Sequence, residues 1–261
     1  ITSERRTRNE TPMLIVERQK KLLDILRERG TAQLEVLAEA LEVSSSTVRR
    51  DVEVLERQGV VERTHGGVIF RPRSTASLAL EERMREAVEA KRAIGGVAAR
   101  MIEPGMTVYV DGGSTVQYCN EQIAARPLQV VTNSLTVANH FAGDERVELL
   151  VEGGAHYPRT GVLIGPITRA ALSGLHADVM LFSGAGLYEA EVFNSSLEMA
   201  EVERLAVKQT ARSILLMNSG KFGRKSLARI CAVDDLDLII TDSAISEKWE
   251  KSLGERLQIA R

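Results

Sequence analysis

Cysteine is nearly absent from this 261-residue sequence, and Cys119 and Cys231 lie far apart with no cysteine or histidine at ligand spacing beside them. A disulfide framework and a zinc site are thereby excluded, and neither metal nor cofactor is expected. Long apolar runs are also lacking. None approaches the ~18 residues of a membrane span, and no charged-then-apolar leader opens the chain, so the expected location is cytoplasmic. Nor is there an excess of positive charge: 34 Lys and Arg stand against 36 Asp and Glu, for a formal net charge of -2. Any grip on nucleic acid must come from local clusters such as Arg49, Arg50, Arg63, Arg71 and Arg73, not from the global field. The apolar content of 44% indicates globular folding throughout, and the length suits one small and one medium domain.

The most informative stretch runs from Leu34 to Phe70. Leu34, Leu37, Ala38 and Leu41 fall on one helical face, and after a short turn Val48, Val52 and Leu55 repeat the pattern. Ser44 is placed as the N-cap of the second helix, where its hydroxyl can accept from a free amide of the first turn. Ser45, Ser46 and Thr47 at the leading end, followed by Arg49 and Arg50, supply what a recognition helix uses against base edges and phosphates. Which of the two arginines reads bases stays open. Val60 to Arg63 alternates as a strand, and Thr64-His65-Gly66-Gly67 turns tightly into Val68-Ile69-Phe70. Two helices and this ribbon make a winged helix-turn-helix, with Ser44 to Thr47, Arg49, Arg50, Arg63, Thr64, His65, Gly66 and Gly67 as its DNA-facing residues. Gly66 and Gly67 are expected to take backbone angles that a side chain resists.

The run Val43-Ser-Ser-Ser-Thr-Val-Arg-Arg-Asp51, with Arg63-Thr-His-Gly-Gly67 after it, resembles the DNA-binding domain of the DeoR family of bacterial transcription regulators. That family shows S-x-x-T-x-R-R-D-L and R-T-H-G-G; Val52 stands here in place of the usual leucine.

Residues 1–15 are polar and aperiodic and read as a mobile extension, and 16–70 form the winged domain. Within it Glu17 to Arg29 is the scaffold helix, closed by Gly30. Residues 71–90 read as a linker and connecting helix, with one long helical pattern running from Leu80 to Met101. Residues 91–261 form the second domain. Here Thr107 to Val110, Gln129 to Val131, Glu148 to Val151, Val179 to Phe182, Ser213 to Met217 and Leu238 to Thr241 each read as a buried strand. Near-continuous apolar strands between helical stretches predict an α/β domain with a mostly parallel sheet covered on both faces.

Ligands in such sheets collect in the loops that follow the strands. Five of these loops are rich in glycine and small polar residues: Asp111-Gly112-Gly113-Ser114-Thr115, Thr132-Asn133-Ser134, Gly153-Gly154, Ser183-Gly184-Ala-Gly186 and Asn218 to Gly223. Glycines admit a ligand close to the backbone, and amides and hydroxyls at a helix start hold an anion. Their recurrence points to a hydroxyl-rich ligand carrying phosphate.

The likeness to the DeoR family extends through this domain, at Lys91-Arg92, Asp111 to Thr115, Val131 to Ser134, Glu152 to Gly154, Gly165-Pro166, Glu201-Val202, Lys221 to Gly223 and Asp237 to Asp242. The resemblance implies a sensor fold related to sugar-phosphate isomerases and a phosphorylated sugar as effector. Ser114, Thr115, Asn133 and Ser134 would then take the phosphate, with Lys91, Asp111, Glu201 and Lys221 for charge and hydroxyl recognition. Departures occur: D-S-G-S-T is D-G-G-S-T here, G-A-D-G is Ser183-Gly-Ala-Gly186, and E-V-K is Glu201-Val-Glu203, which alters the part that would identify the sugar. The expected protein is a non-enzymatic repressor of a carbohydrate-metabolism operon, a homo-oligomer released from operator DNA by a phosphorylated sugar. Competing readings are a sugar-phosphate isomerase-like enzyme, with Asp111, Glu152 and Lys221 as its chemistry, and a DNA binder with a purely structural second domain.

Overall fold

The fold was analysed in a computed structural model, which describes residues 14–57, 60–64, 66–70 and 80–261. The expected extension up to residue 13, His65, Arg71, Arg73 and the connector at 71–79 lie outside the described residues. The chain divides into two compact units, Ile1–Ser74 and Thr75–Arg261.

The first unit begins with α1 (Ile15–Arg29), which Gly30 ends at φ +73° by donating its amide to the Leu26 carbonyl. β1 (Thr31–Gln33), α2 (Leu34–Ala40), α3 (Ser45–Arg57), β2 (Val61–Thr64) and β3 (Gly67–Phe70) complete it. The apolar stripes of the three helices meet in one core, in which Leu22, Leu26, Leu37, Val48 and Val52 are fully buried. α3 is also tied to α1 through charge. Arg18 donates to both carboxylate oxygens of Asp51, and Gln19 donates to one of them. The wing has three strands in the order β1-β3-β2, all antiparallel. β1 is too short and too polar to show the period-2 signal that revealed the other two.

In the second unit the single helix expected from Leu80 to Met101 is two. α4 (Leu80–Met84) stops, Ala87 takes the left-handed region at φ +48°, and α5 (Val88–Ala99) starts afresh. The helical period alone gave no sign of this break, because Ala87 is itself a strong helix former. The structure builds both helices into this unit: the Tyr118 hydroxyl donates to the Met84 carbonyl, and Lys91 donates to that of Arg83.

There follow β4 (Thr107–Val110), α6 (Ser114–Asn120), β5 (Leu128–Thr132), α7 (Leu135–Phe141), β6 (Val147–Val151), β7 (Ala155–Tyr157), β8 (Val162–Ile164), α8 (Pro166–Ser173) and β9 (Ala177–Phe182). The chain ends with β10 (Gly186–Tyr188), β11 (Glu191–Asn194), α9 (Leu197–Lys208), β12 (Thr210–Leu216), β13 (Ala228–Ala232), β14 (Leu238–Asp242), α10 (Glu247–Leu253) and β15 (Leu257–Ala260).

All six expected strands join one sheet, in the order β15-β14-β12-β9-β4-β5-β6, and every pairing in it is parallel. The seventh strand, β15, lies at an edge. Successive residues alternate between two apolar layers: Val108, Val110, Leu181, Ile214 and Ile240 face α5 and α6, whereas Tyr109, Met180, Phe182, Leu215 and Ile239 face α8, α9 and α10. Burial on both faces is why these strands read as continuous apolar runs. Two small antiparallel pieces stand apart, the hairpin β7-β8 and the sheet β10-β11-β13.

Candidate functional site

On the recognition helix, the Ser44 hydroxyl caps the first turn by accepting from the Thr47 amide at 3.2 Å, and it also bonds the hydroxyls of Ser46 and Thr47. Val48, Val52 and Leu55 turn inward, which leaves Ser46, Arg49 and Arg50 exposed. Arg63 of β2 is held differently: its guanidinium pairs with Glu53 at 3.1 Å and Glu56 at 2.6 Å, so it ties wing to helix. Thr64 pairs with Gly67 across the turn, and Gly66 sits at φ +100°. Gly67 is glycine for another reason. A Cβ there would lie 3.1 Å from the Ala32 carbonyl oxygen, so close strand packing and not a positive φ requires it.

In the second unit the strand order reverses between β4 and β9, and the loops leaving these strands part there to form a crevice. The Asp111 amide reaches across it to the Leu181 carbonyl at 3.0 Å. Gly112, Gly113, Ser183, Gly184 and Lys221 line an inner lobe, whose walls are Tyr157, Arg159 and Thr160 of the hairpin, Asn194, Ser195, Glu203 of α9 and Arg83 of α4. An outer lobe shares Arg83 and Lys221 and adds Glu86, Lys91, Ser114, Asn218, Gly220 and Arg224.

The electrostatics of this cleft are those of charges removed from water. Burial pushes the Asp111 carboxyl up to about 7, against the pull of the Gly112 and Ser183 amides and the Arg83 charge. Burial raises Glu203 well above the carboxylate range, and the nearby Asp111 charge adds to it. Lys221 is brought down to about 7 by burial, with Arg83, Lys91 and Arg224 acting in the same direction. Lys91 falls to about 8, again by burial first. Several polar atoms here are buried without a hydrogen-bond partner: Arg83 Nε and Nη2, Asp111 Oδ2, Thr115 Oγ1, Glu203 Oε2 and Asn218 Oδ1. Such atoms are costly unless something completes them. The arrangement offers cationic donors at one end and carboxylate acceptors at the other.

Of the five small-residue loops, the three that follow β4, β9 and β12 converge on the cleft: Gly112, Gly113, Ser114, Gly184 and Lys221 are brought together there with Lys91, whereas Asp111 and Thr115 are buried and stand outside its lining. The other two are occupied by neighbouring elements, one by the β7-β8 hairpin and one chiefly by α8. Asn133 clasps Leu163, its carbonyl accepting from the Leu163 amide at 2.7 Å and its side-chain amide donating to the Leu163 carbonyl at 3.0 Å. Thr132 donates to the Val110 carbonyl, and Ser134 caps α7 by accepting from the Val137 amide. Gly153 and Gly154 pack against α8, where Thr168 donates to the Gly153 carbonyl at 2.7 Å. Glu201 points away from the cleft and pairs with Arg169 at 2.6 Å, both partly exposed.

The carboxylate that enters the site is Glu203, two residues on. Sequence reasoning passed over it because it stood where a lysine was expected. The signal was available: Met199, Val202 and Ala206 form a buried helical stripe, and Glu203 lies within it at i+4 from Met199. Arg83, Tyr157, Arg159, Thr160 and Asn194 were missed as well, since the hairpin and the break after α4 that deliver most of them were not foreseen. Glu152, also buried, accepts from the Tyr109 hydroxyl at 3.4 Å and is held near 7 chiefly by burial.

Residues 18–73 match the DeoR-like helix-turn-helix domain, and residues 86–243 match the DeoR C terminal sensor domain. The chain is 33% identical to the lactose phosphotransferase system repressor of Streptococcus mutans, over 90% of this chain and 95% of that protein. It is 31% identical to the L-fucose operon activator of Escherichia coli, over 86% of this chain and 94% of the other. Among solved structures, ribose 5-phosphate isomerase A of Methanocaldococcus jannaschii superposes with a TM-score of 0.38 at 12% identity, covering 52% of this chain and 54% of that one. No helix among the described residues is long and apolar enough to cross a membrane. With both its halves matched in order along one chain, the protein belongs to the DeoR family of transcriptional regulators.

Proposed function

We propose that this protein is a cytoplasmic, homo-oligomeric DNA-binding repressor of a carbohydrate-metabolism operon, released from its operator when a phosphorylated sugar enters the sensor cleft. The observation that carries the reading is Arg83, whose Nε and Nη2 are buried without partners beside Lys91, Lys221 and the Gly112 to Ser114 turn. A guanidinium so placed is half of a bidentate phosphate contact. Carbohydrate control is supported by the names of the two relatives, one a repressor of a lactose system and one an activator of a fucose operon. Ser46, Thr47, Arg49 and Arg50 are the residues placed to meet DNA, with Gly66 and Gly67 shaping the wing.

The test is operator affinity by fluorescence anisotropy, with a panel of sugar phosphates added to wild type and to Arg83→Ala. At least a tenfold weakening by one ligand, absent in Arg83→Ala, is expected. A ligand that tightens operator binding would make the protein an activator, and an Arg83→Ala variant that still responds would move the phosphate elsewhere.

Asp111 and Lys221, both brought near neutrality, also suit proton transfer between a carboxylate and an amine. We read the protein as a sensor and not an enzyme. Conversion of any phosphorylated sugar by the purified chain, followed by NMR, would reverse that.

A further inference from the structure

Glu203 is buried on α9 and faces the inner lobe of the sensor cleft. Its Oε1 accepts from the Asn194 side-chain amide at 2.6 Å, while Oε2 has no partner. The orientation of Asn194 is fixed by a second bond, since its Oδ1 accepts from the Ser196 amide at 3.1 Å. Asn194 therefore presents its NH2 to Glu203, and Glu203 acts there as an acceptor. Asp111, near enough for its charge to act on Glu203, is equally buried and leaves Oδ2 without a partner. Lys221, a buried amine of the cleft, gives its hydrogen bonds elsewhere, its Nζ donating to the Gly184 carbonyl at 2.7 Å and to the Ser183 hydroxyl at 3.4 Å, and its charge only partly offsets the burial of Glu203.

The cleft is thus polarised. Its outer lobe gathers Arg83, Lys91, Lys221 and Arg224, with Glu86 exposed at the rim. Its inner lobe ends at the buried Glu203 with Oε2 free, and Asp111, outside the lining, is near enough to act on it through charge. Burial and mutual repulsion push both groups toward their neutral forms, and a neutral hydroxyl would bring one proton and no charge to offset that. An ammonium brings three donors and a compensating charge.

Resting on the reading of the cleft as a sugar-phosphate site, we propose that Glu203, with Asp111, makes its inner lobe a subsite for a protonated amine. The effector is then an amino-sugar phosphate, bound with its phosphate against Arg83 and its ammonium against Glu203. Glu203 is the specificity-determining residue, and N-acylation of the ligand, which removes the charge and leaves one N–H donor of three, weakens recognition.

The experiment is calorimetric titration of the full-length protein at neutral pH with glucosamine 6-phosphate and galactosamine 6-phosphate, their N-acetyl derivatives and the parent hexose 6-phosphates. At least one free amino sugar should bind tenfold or more tightly than its hexose and N-acetyl counterparts. In Glu203→Gln that preference should shrink to threefold or less. Wild-type binding of a hexose or N-acetyl compound as tightly as its free amine overturns the inference and leaves the sugar-phosphate reading standing. Binding of none of them, with operator binding intact, overturns both. Should Glu203→Gln fail to fold by circular dichroism, the wild-type panel decides by itself, and Glu203→Asp, which keeps the charge, should retain the preference.

Discussion

Asp111 occupies a position where a carboxylate is expensive to keep charged. Its ordinary value is 3.8 and the folded protein raises it to about 7, so between those limits the folded chain holds a proton that the unfolded chain has released. The sign is opposite to that of a salt-bridged acid: stability contributed by the neutral form is full below pH 3.8 and is lost as pH rises to about 7. Asp111→Asn removes this penalty. Without ligand the variant should be more stable than wild type at pH 8, on the order of 1–3 kcal/mol after the neighbouring cations take their share, with the difference vanishing towards pH 4. Urea titrations at the two pH values check it. A variant less stable than wild type at pH 8 would show that Asp111 holds the fold and does not burden it. On the recognition helix, Arg50 is exposed while the buried Asp51 beside it is spent on Arg18. Arg50→Ala should therefore weaken operator binding by about 1–3 kcal/mol with no change in melting temperature. Full affinity at moderate salt would take Arg50 out of the interface.

At the scale of elements, the β7-β8 hairpin decides which loops are free. It lies over Thr132 to Ser134 and comes so near the β4 loop that a Cβ at Gly112 would sit 2.2 Å from Val162 Cγ1. Gly112→Ala should displace the hairpin, cost about 1–3 kcal/mol and weaken ligand binding through Tyr157, Arg159 and Thr160. Val162→Ala in the same chain should recover much of that loss, and a double variant no better than Gly112→Ala would place the conflict with the backbone. This hairpin also marks what could be read from sequence. The six central strands and both helices of the helix-turn-helix were legible, because burial imposes a period that Leu37, Val48 or Leu181 cannot evade. β1, β7, β8 and β10 are three residues each, too short for a period to show. The candidate cleft was legible where it follows a strand, as at Gly112, Gly184 and Lys221. It was hidden where a distant element supplies the side chain, as α4 does with Arg83 and α9 with Glu203.

For the molecule as a whole, regulation requires that ligand and DNA prefer different states of one chain, and the size of that preference can be bounded. To lower operator occupancy from about nine-tenths to about one-tenth at fixed protein concentration, the proposed effector would have to weaken DNA binding about 80-fold, roughly 2.6 kcal/mol. Linkage makes this reciprocal, so operator DNA must weaken effector binding by the same factor. Direct repulsion between DNA and a phosphorylated ligand is screened by salt, whereas a preference of the two ligands for different protein conformations is not. The coupling should therefore persist at raised salt even as DNA affinity itself falls steeply. The measurement is the effector dissociation constant by calorimetry, alone and with saturating operator fragment, at two salt concentrations. Equal effector affinity with and without DNA would mean that the sensor cleft does not speak to the winged helix, and release from the operator would need another cause. A coupling that disappears at high salt would trace it to charge repulsion between the two ligands, and not to a change in the protein.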